Sequence, residues 1–354
     1  MHARQLLTLF IAVLTFGSLA AQDIHFTQFN MSPMTLNPGN IGRFEGTVRI
    51  GGIYRGQWAS VLGKGNQYKT PSIWADAPIV RGFRKQDWLG VGLVFINDKA
   101  GSSALTTSGA KLGATYHLAL NKKGTTALSL GAQYGKMSRK LDRDKLQFQD
   151  GFDNGNYNIP LSQDYAQVAQ DNVSYTDIDA GIVLSSRLNK TMDFNLGFAM
   201  FHLSTPNYGL VSGSSTPPGP PGNAGGGSDL QRRAVFHGQF NMALTDRFNL
   251  SPTFLYQTLS GADEIAVQAL GGYLFDPVKD ITINFGLGYR LGDAIQTLIG
   301  AKYKNLRVGL AYDINTSDLT TASNYRGGFE IAANYIIKIY KSPVTKTKIL
   351  CPRF

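Results

Sequence analysis

The chain has 354 residues, with 40 glycines, 34 Lys plus Arg against 24 Asp plus Glu, and one cysteine. Charged residues make up only 16%, below the usual ~25%, and aromatics reach 11%, which excludes a disordered chain. One thiol excludes a disulfide scaffold, and no apolar run long enough for a membrane helix follows the N-terminus.

Met1-His2-Ala3-Arg4 is weakly basic, Leu6 to Leu19 is apolar, and Ser18 and Ala20 are small, with Ala21 a close second. This is the pattern of a secretory signal peptide over residues 1–21. Its removal takes one Arg and no acid from a formal net charge of +10. Cys351 lies near the other end, so it is not a lipidated first residue. The mature chain is expected to leave the cytoplasm and either to stay in an aqueous compartment or to enter a membrane as strands. Residues 22–45 are aromatic, polar and rich in Asn and Pro, so they cannot pair continuously as a central strand. They are expected to form a periplasmic or lumen-plugging segment, with Phe26, Gln28, Phe29, Asn37 and Pro38 as partner-binding or plugging residues.

Period-2 alternation then dominates residues 46–338. Ile281, Ile283, Phe285, Leu287 and Tyr289 share one face, while Thr282, Asn284, Gly286, Gly288 and Arg290 share the other. Leu306 to Ile314, Phe329 to Ile337, Leu112 to Leu120 and Ile178 to Leu184 repeat the pattern. Fourteen strands are expected, near 46–58, 66–79, 87–98, 103–120, 125–138, 174–187, 192–203, 232–244, 247–258, 264–275, 280–290, 293–303, 306–314 and 325–338. A soluble sandwich and an outer-membrane barrel both alternate. Length separates them, because a membrane strand needs about 9–11 residues and globular strands run about 5–6. Tyr134, Tyr273, Tyr289, Tyr303 and Tyr335 near strand ends suit an interfacial aromatic girdle.

The connections sort by parity. Odd-numbered ones include the long stretches 139–173 and 204–231, whereas even-numbered ones such as 121–124, 188–191 and 245–246 are short. Long loops outside and short turns inside are the asymmetry of an outer-membrane barrel. The expected fold is therefore all-β, an antiparallel transmembrane outer-membrane β-barrel of about 14 strands over residues 46–338. An even strand count puts both termini on the periplasmic side.

Catalytic chemistry has no sequence support. No histidine pair sits at helical spacing, Gly-x-Ser-x-Gly is absent, and Gly286-x-Gly288 lies inside a strand. Asp150-Gly151-Phe152-Asp153 lacks the spacing of a calcium loop, so no metal or other cofactor is expected. Basic residues are scattered over strand ends and turns, which argues against nucleic acid as a partner. The Pro/Gly-rich stretch 209–228 is expected to hold no regular structure. On the polar faces, Arg49, Arg55, Arg290 and Arg307 are expected in the lumen with Asp313 and Glu330, either as a ladder of ion pairs or around an aqueous passage. Residues 339–354 form a basic tail, expected to be periplasmic, in which Cys351, Pro352 and Arg353 are candidates for partner contact.

Several motifs resemble those of the PorP/SprF family. Phe26-Thr27-Gln28-Phe29, then Asn37-Pro38 with Gly42, is similar to its aromatic-Ser/Thr-Gln-aromatic run and Asn-Pro-x-x-x-Gly. Tyr54-Arg55-Gly56-Gln57-Trp58 resembles Tyr-Arg-x-Gln-Trp. Gly90-Val91-Gly92 with Asn97-Asp98-Lys99-Ala100-Gly101, Gly288-Tyr289-Arg290 with Asp293, Tyr312-Asp313, and the Cys351-Pro352 tail follow in the family's order. Three places depart from it: Pro-Ala-Tyr-Ala-Gly is here Pro38-Gly39-Asn40-Ile41-Gly42, Gly-Ser-His-Glu is here Gly327-Gly328-Phe329-Glu330, and the Pro/Gly-rich stretch 209–228 looks like an insertion. The resemblance implies a non-enzymatic outer-membrane barrel of the type IX secretion system. Its implied partners are outer-membrane lipid, periplasmic ring proteins, and secreted adhesins, including gliding adhesins, or other cargo with a C-terminal sorting domain. A passive outer-membrane porin for small solutes is the alternative.

Overall fold

In the computed structural model, residues 23–339 are described except 64, 82–85, 102, 154–155, 163–164, 167, 169 and 211–228. The expected signal peptide, most of the Pro/Gly-rich stretch, and the tail with Cys351, Pro352 and Arg353 therefore lie outside the described residues.

Alternation dictates the architecture. A strand with one apolar face and no second sheet to cover it must turn that face to lipid and curl until its edges meet. The strands are β1 (Val48–Gln57), β2 (Tyr68–Arg81), β3 (Trp88–Ala100), β4 (Leu105–Ala119), β5 (Thr126–Lys140), β6 (Asn172–Arg187) and β7 (Met192–Phe201). They continue as β8 (Arg233–Ala243), β9 (Phe248–Leu259), β10 (Ala262–Asp276), β11 (Ile281–Arg290), β12 (Ala294–Tyr303), β13 (Leu306–Asn315) and β14 (Arg326–Ile337). Each pairs antiparallel with its neighbours, and β1 pairs with β14 from Val48↔Ile337 to Gln57↔Gly328, closing the barrel. The fourteen-strand barrel expected from periodicity is the one found.

On β11, Phe285 is 49% exposed and Leu287 65%, whereas Arg290 on the inner face is 3%. The outer face is thus the apolar one, as a transmembrane barrel requires. The inner face is less polar than alternation alone suggests. Ile53, Trp74, Val94, Val235 and Leu255 point inward and are buried.

The wall is uneven in height. Strands β2 to β6 run 13 to 16 residues, and β11 to β13 run 10 each. Beyond the outward Tyr134 and Ile178, the outer positions turn polar, with Lys136, Ser138 and Lys140 on β5 and Thr176 and Ser174 on β6. These residues would lose hydration in hydrocarbon, so this side rises out of the apolar band. The loop from β5 to β6 carries a small hairpin of Phe152–Asp153 against Asn156–Tyr157.

Residues 23–46 lie inside the ring. They form two short 3-10 turns, Phe29–Met31 and Pro38–Asn40, around one helical turn, Pro33–Leu36. Phe26, Met31, Met34 and Ile41 pack on Ile53, Trp74 and Val94, while Phe29 packs on Phe201, Val235 and Leu255. Inner-face glycines permit this close approach. A Cβ on Gly90 would sit 2.3 Å from the Ile41 carbonyl oxygen, and one on Gly181 2.1 Å from Asn37 Oδ1. Short turns and both barrel ends share one mouth, near Gly42 and Gly46; Asp23 lies at the opposite, long-loop mouth.

Candidate functional site

An irregular segment cannot satisfy its own backbone, so the wall must do so. Glu330 accepts the N–H groups of Thr27 (2.6 Å) and Gln28 (2.8 Å), and Gln268 Nε2 donates to the Thr27 carbonyl (2.8 Å). Gln133 Nε2 donates to the Met34 carbonyl (3.0 Å), and Thr115 Oγ1 to that of Pro38 (2.6 Å). His117 Nε2 meets the Ile41 carbonyl at 2.8 Å, Asp76 accepts the Gly42 N–H at 2.8 Å, and Trp88 Nε1 donates to the Gly42 carbonyl at 3.1 Å. Asn37 reverses the direction: its Nδ2 donates to the Ile182 and Phe198 carbonyls of the wall (3.1 and 3.2 Å). Strands on every side of the lumen therefore hold the same short segment.

Three charged clusters anchor it along its length. In the middle, Arg55 bridges Glu330 and Asp313, with 3.0 Å to the latter, and Arg290 reaches Asp313 at 3.1 Å. Thr27 Oγ1 sits among them, donating to Asp313 Oδ1 (2.8 Å) and accepting from Arg55 and Arg290 (2.9 Å each). Two cations balance two carboxylates, and all four are at most 3% exposed. Toward the short-turn mouth, Arg49 grips Asp76 at 2.7 Å, and Arg43 donates to Ser185 (2.6 Å) and Asn195 (3.0 Å).

The third cluster sits at the long-loop mouth. Lys111 Nζ lies 2.6 Å from Asp177 and 2.7 Å from Asp179. His202 uses both ring nitrogens, 2.8 Å to Asp177 and 2.9 Å to Asp23, and Arg233 lies 3.0 Å from Asp23. A ring flanked by two carboxylates is a double donor, which is the imidazolium form. Burial opposes that charge, but Asp23 and Asp177 outweigh it, and the His202 imidazole is pushed up to about 9. Burial likewise opposes the Asp23 carboxylate, yet Arg233 and His202 hold it well below the usual range. Backbone strain aims His202, whose φ of 59° follows directly on the end of β7. Asp177, Asp179 and His202 have the composition of a metal site, but the Lys111 ammonium already lies between the two carboxylates.

The inner segment leaves a cavity on each side. One of about 570 Å³ opens at the long-loop mouth, above Asp23, Ile24 and His25, with Tyr68, Tyr175 and Tyr208 in its wall. One of about 280 Å³ opens at the short-turn mouth, beneath Gln28, Asn30 and Met31.

Of the residues singled out from sequence, Phe26, Gln28, Phe29, Asn37 and Pro38 are all buried within the ring. Arg49, Arg55, Arg290, Asp313 and Glu330 are brought into contact with that segment or with its partners. Arg307 stands apart and lines the short-turn cavity. Sequence reasoning did not single out Asp76, Lys111, His202, Arg233 or Arg43. Lys111 and Asp76 carried a signal, as charges at inward alternation positions; His202, beyond its strand, carried none.

Residues 18–335 match the family model described as type IX secretion system membrane protein PorP/SprF. Among solved structures the chain is similar to the Ralstonia pickettii toluene transporter TbuX, at 10% identity and TM-score 0.46, over 91% of this chain and 96% of that one. It is similar also to the P. putida toluene transporter TodX, at 10% identity and TM-score 0.44, over 86% and 93%. A Pseudomonas aeruginosa FadL homologue gives 11% identity and TM-score 0.43, over 84% and 92%. Likenesses this distant say nothing of what the chain handles. No relative was found among curated protein sequences. The resembling motifs, far apart in sequence, converge on one place: Thr27, Arg55, Arg290 and Asp313 meet inside the lumen. With the family model spanning most of its length, the chain belongs to the PorP/SprF family of type IX secretion system membrane proteins.

Proposed function

We propose that the chain is a non-enzymatic outer-membrane component of the type IX secretion machinery, working as a plugged docking barrel. Periplasmic ring proteins engage its short-turn mouth and basic tail. Exported proteins with a C-terminal sorting domain, gliding adhesins among them, engage its long-loop mouth for secretion or surface attachment. One observation carries this reading: the lumen is filled by the chain's own residues 23–46, pinned by buried ion pairs and by backbone hydrogen bonds to the surrounding wall. A conduit for small solutes gains nothing from so many anchors, whereas a rigid platform with a shaped face at each mouth does. The family match supports the machinery.

Co-purification tests it. Deleting residues 339–354 is expected to abolish capture of a periplasmic ring protein from detergent extracts while leaving a barrel whose gel mobility still shifts on heating. Full capture by the truncated chain would remove the tail from the interface. Steady conductance of the intact chain in planar bilayers, with normal secretion after gene deletion, would replace the reading with that of a porin.

A further inference from the structure

Arg307 differs from four other arginines of the inner face. Arg49, Arg55, Arg233 and Arg290 each face a carboxylate within ion-pair distance. Among the described residues, Arg307 has no such partner, and the charge acting on it is another cation, Arg49, itself tied to Asp76. Among the described residues lining the same cavity the only acid is Asp193, whose Oδ1 already accepts from Asn241 at 2.6 Å. Lys190 adds a second positive charge at the rim. A half-buried guanidinium without a counter-ion is costly unless something supplies one.

A second, independent observation points to the same place. Gln28 lines this cavity from the inner segment and is 3% exposed, and its Nε2 is a buried donor with no acceptor. Its Oε1 lies where a side chain on Gly309 would be: a Cβ there would sit 2.2 Å away. Gly309 shares the inner face with Arg307, two residues on, so the carboxamide and the guanidinium approach the cavity from adjacent positions. Asn249 and Asn284 line it too. Buried polar donors are normally paired, so the Gln28 carboxamide, two wall positions from Arg307, offers an unused donor.

We propose that the short-turn cavity is a binding site for the carboxylate of a peptide, an acidic side chain or a chain terminus inserted from that mouth, with Arg307 as its principal donor. The planar guanidinium fork matches a carboxylate in two bonds. A single guanidinium fork among carboxamides, with Lys190 only at the rim, suits a single negative charge better than a phosphate dianion. A volume of about 280 Å³ admits one residue, not a folded domain. That the peptide comes from a periplasmic partner rests on the proposed function; binding on the purified chain does not.

Isothermal titration of the full chain in detergent tests this, with the peptide Gly-Ser-Gly-Asp as probe and inorganic phosphate alongside. Saturable binding of the peptide is expected, lost when its Asp becomes Asn and its terminus is amidated. Arg307→Gln should weaken it about tenfold or more, as loss of a charge-assisted bond does. Gln28→Met should weaken it severalfold without lowering unfolding stability, since the orphan amide is removed; unchanged affinity in this variant would reduce Gln28 to a packing residue and overturn its part. No saturable heat, affinity indifferent to Arg307→Gln, or phosphate binding as tightly as peptide would overturn the proposal. Failure here leaves the tail-deletion capture experiment untouched.

Discussion

Glu330 shows what a single residue does in this lumen. Its carboxylate accepts two backbone N–H groups and the Arg55 guanidinium at 1% exposure. Glu330→Gln keeps the shape but replaces one acceptor oxygen by a donor facing donors, and it leaves Arg55 with Asp313 alone. Breaking a buried pair from one side costs about 3–5 kcal/mol. The urea midpoint for loss of the heat-shifted band should fall accordingly. Lys145→Ala, in a surface pair with Asp142, should leave it unchanged. The His202 latch gives a pH signature of known sign. Its folded value, about 9, lies above the ordinary 6.5, so its stabilising contribution is complete below 6.5 and fades as pH rises through 9. Asp23, shifted the other way, contributes above the ordinary carboxylate range and loses its contribution only in acid. Hydrogen exchange at residues 23–28, corrected for intrinsic rate, should therefore speed up about a hundredfold between pH 6 and pH 9.5. In His202→Gln the same comparison should be flat; a slope retained in that variant would assign the effect to another group.

At the scale of elements, the strands were legible and the inner segment's path was not. Alternation is local: Ile283, Phe285 and Leu287 announce their face without reference to any other part of the chain. The lengthening of β5 and β6 past Ser138 and Ser174 escaped notice because polar outward residues there break the apolar signal while the hydrogen-bonded ladder continues. Residues 23–46 obey no period. Their positions are fixed by partners hundreds of residues away, as when Thr27 meets Glu330 or Asn37 meets His237. Composition showed that they could not be a strand, but not which carbonyl faces which wall. Inner-face glycines are the readable half of that lock. A Cβ on Gly131 would lie 2.5 Å from the Pro38 carbonyl. Gly131→Val should therefore lift the segment while sparing the barrel, whose outward residues are unchanged. In planar bilayers the native chain should pass little current, and the variant should approach the conductance of a chain lacking residues 23–44. Native-like silence in Gly131→Val would show that the wall, not the segment, closes the lumen.

For the whole molecule, two directions are set by one closure. Because β1 begins beside the end of β14, the chain enters the ring at the short-turn mouth and runs to the long-loop mouth at Asp23. The segment must therefore be threaded or surrounded before β1 and β14 zip, and Asp23 lies at the mouth opposite the one where β1 and β14 end. If the short turns face the periplasm, Asp23 lies toward the exterior, against the expectation that both termini share the periplasmic side, and beside the cavity of about 570 Å³ and the tall wall of β4 to β6. Cysteine labelling decides the orientation on intact cells. In a Cys351→Ser background, Leu319→Cys, at the long-loop mouth and 50% exposed, should react with a membrane-impermeant maleimide. Val278→Cys, on the turn between β10 and β11 and 95% exposed, should react only after the outer membrane is permeabilised. The reverse pattern would place the carboxylate-seeking Arg307 cavity outside and the His202 latch in the periplasm, exchanging the partners assigned to the two mouths while leaving the barrel and its inner segment as described.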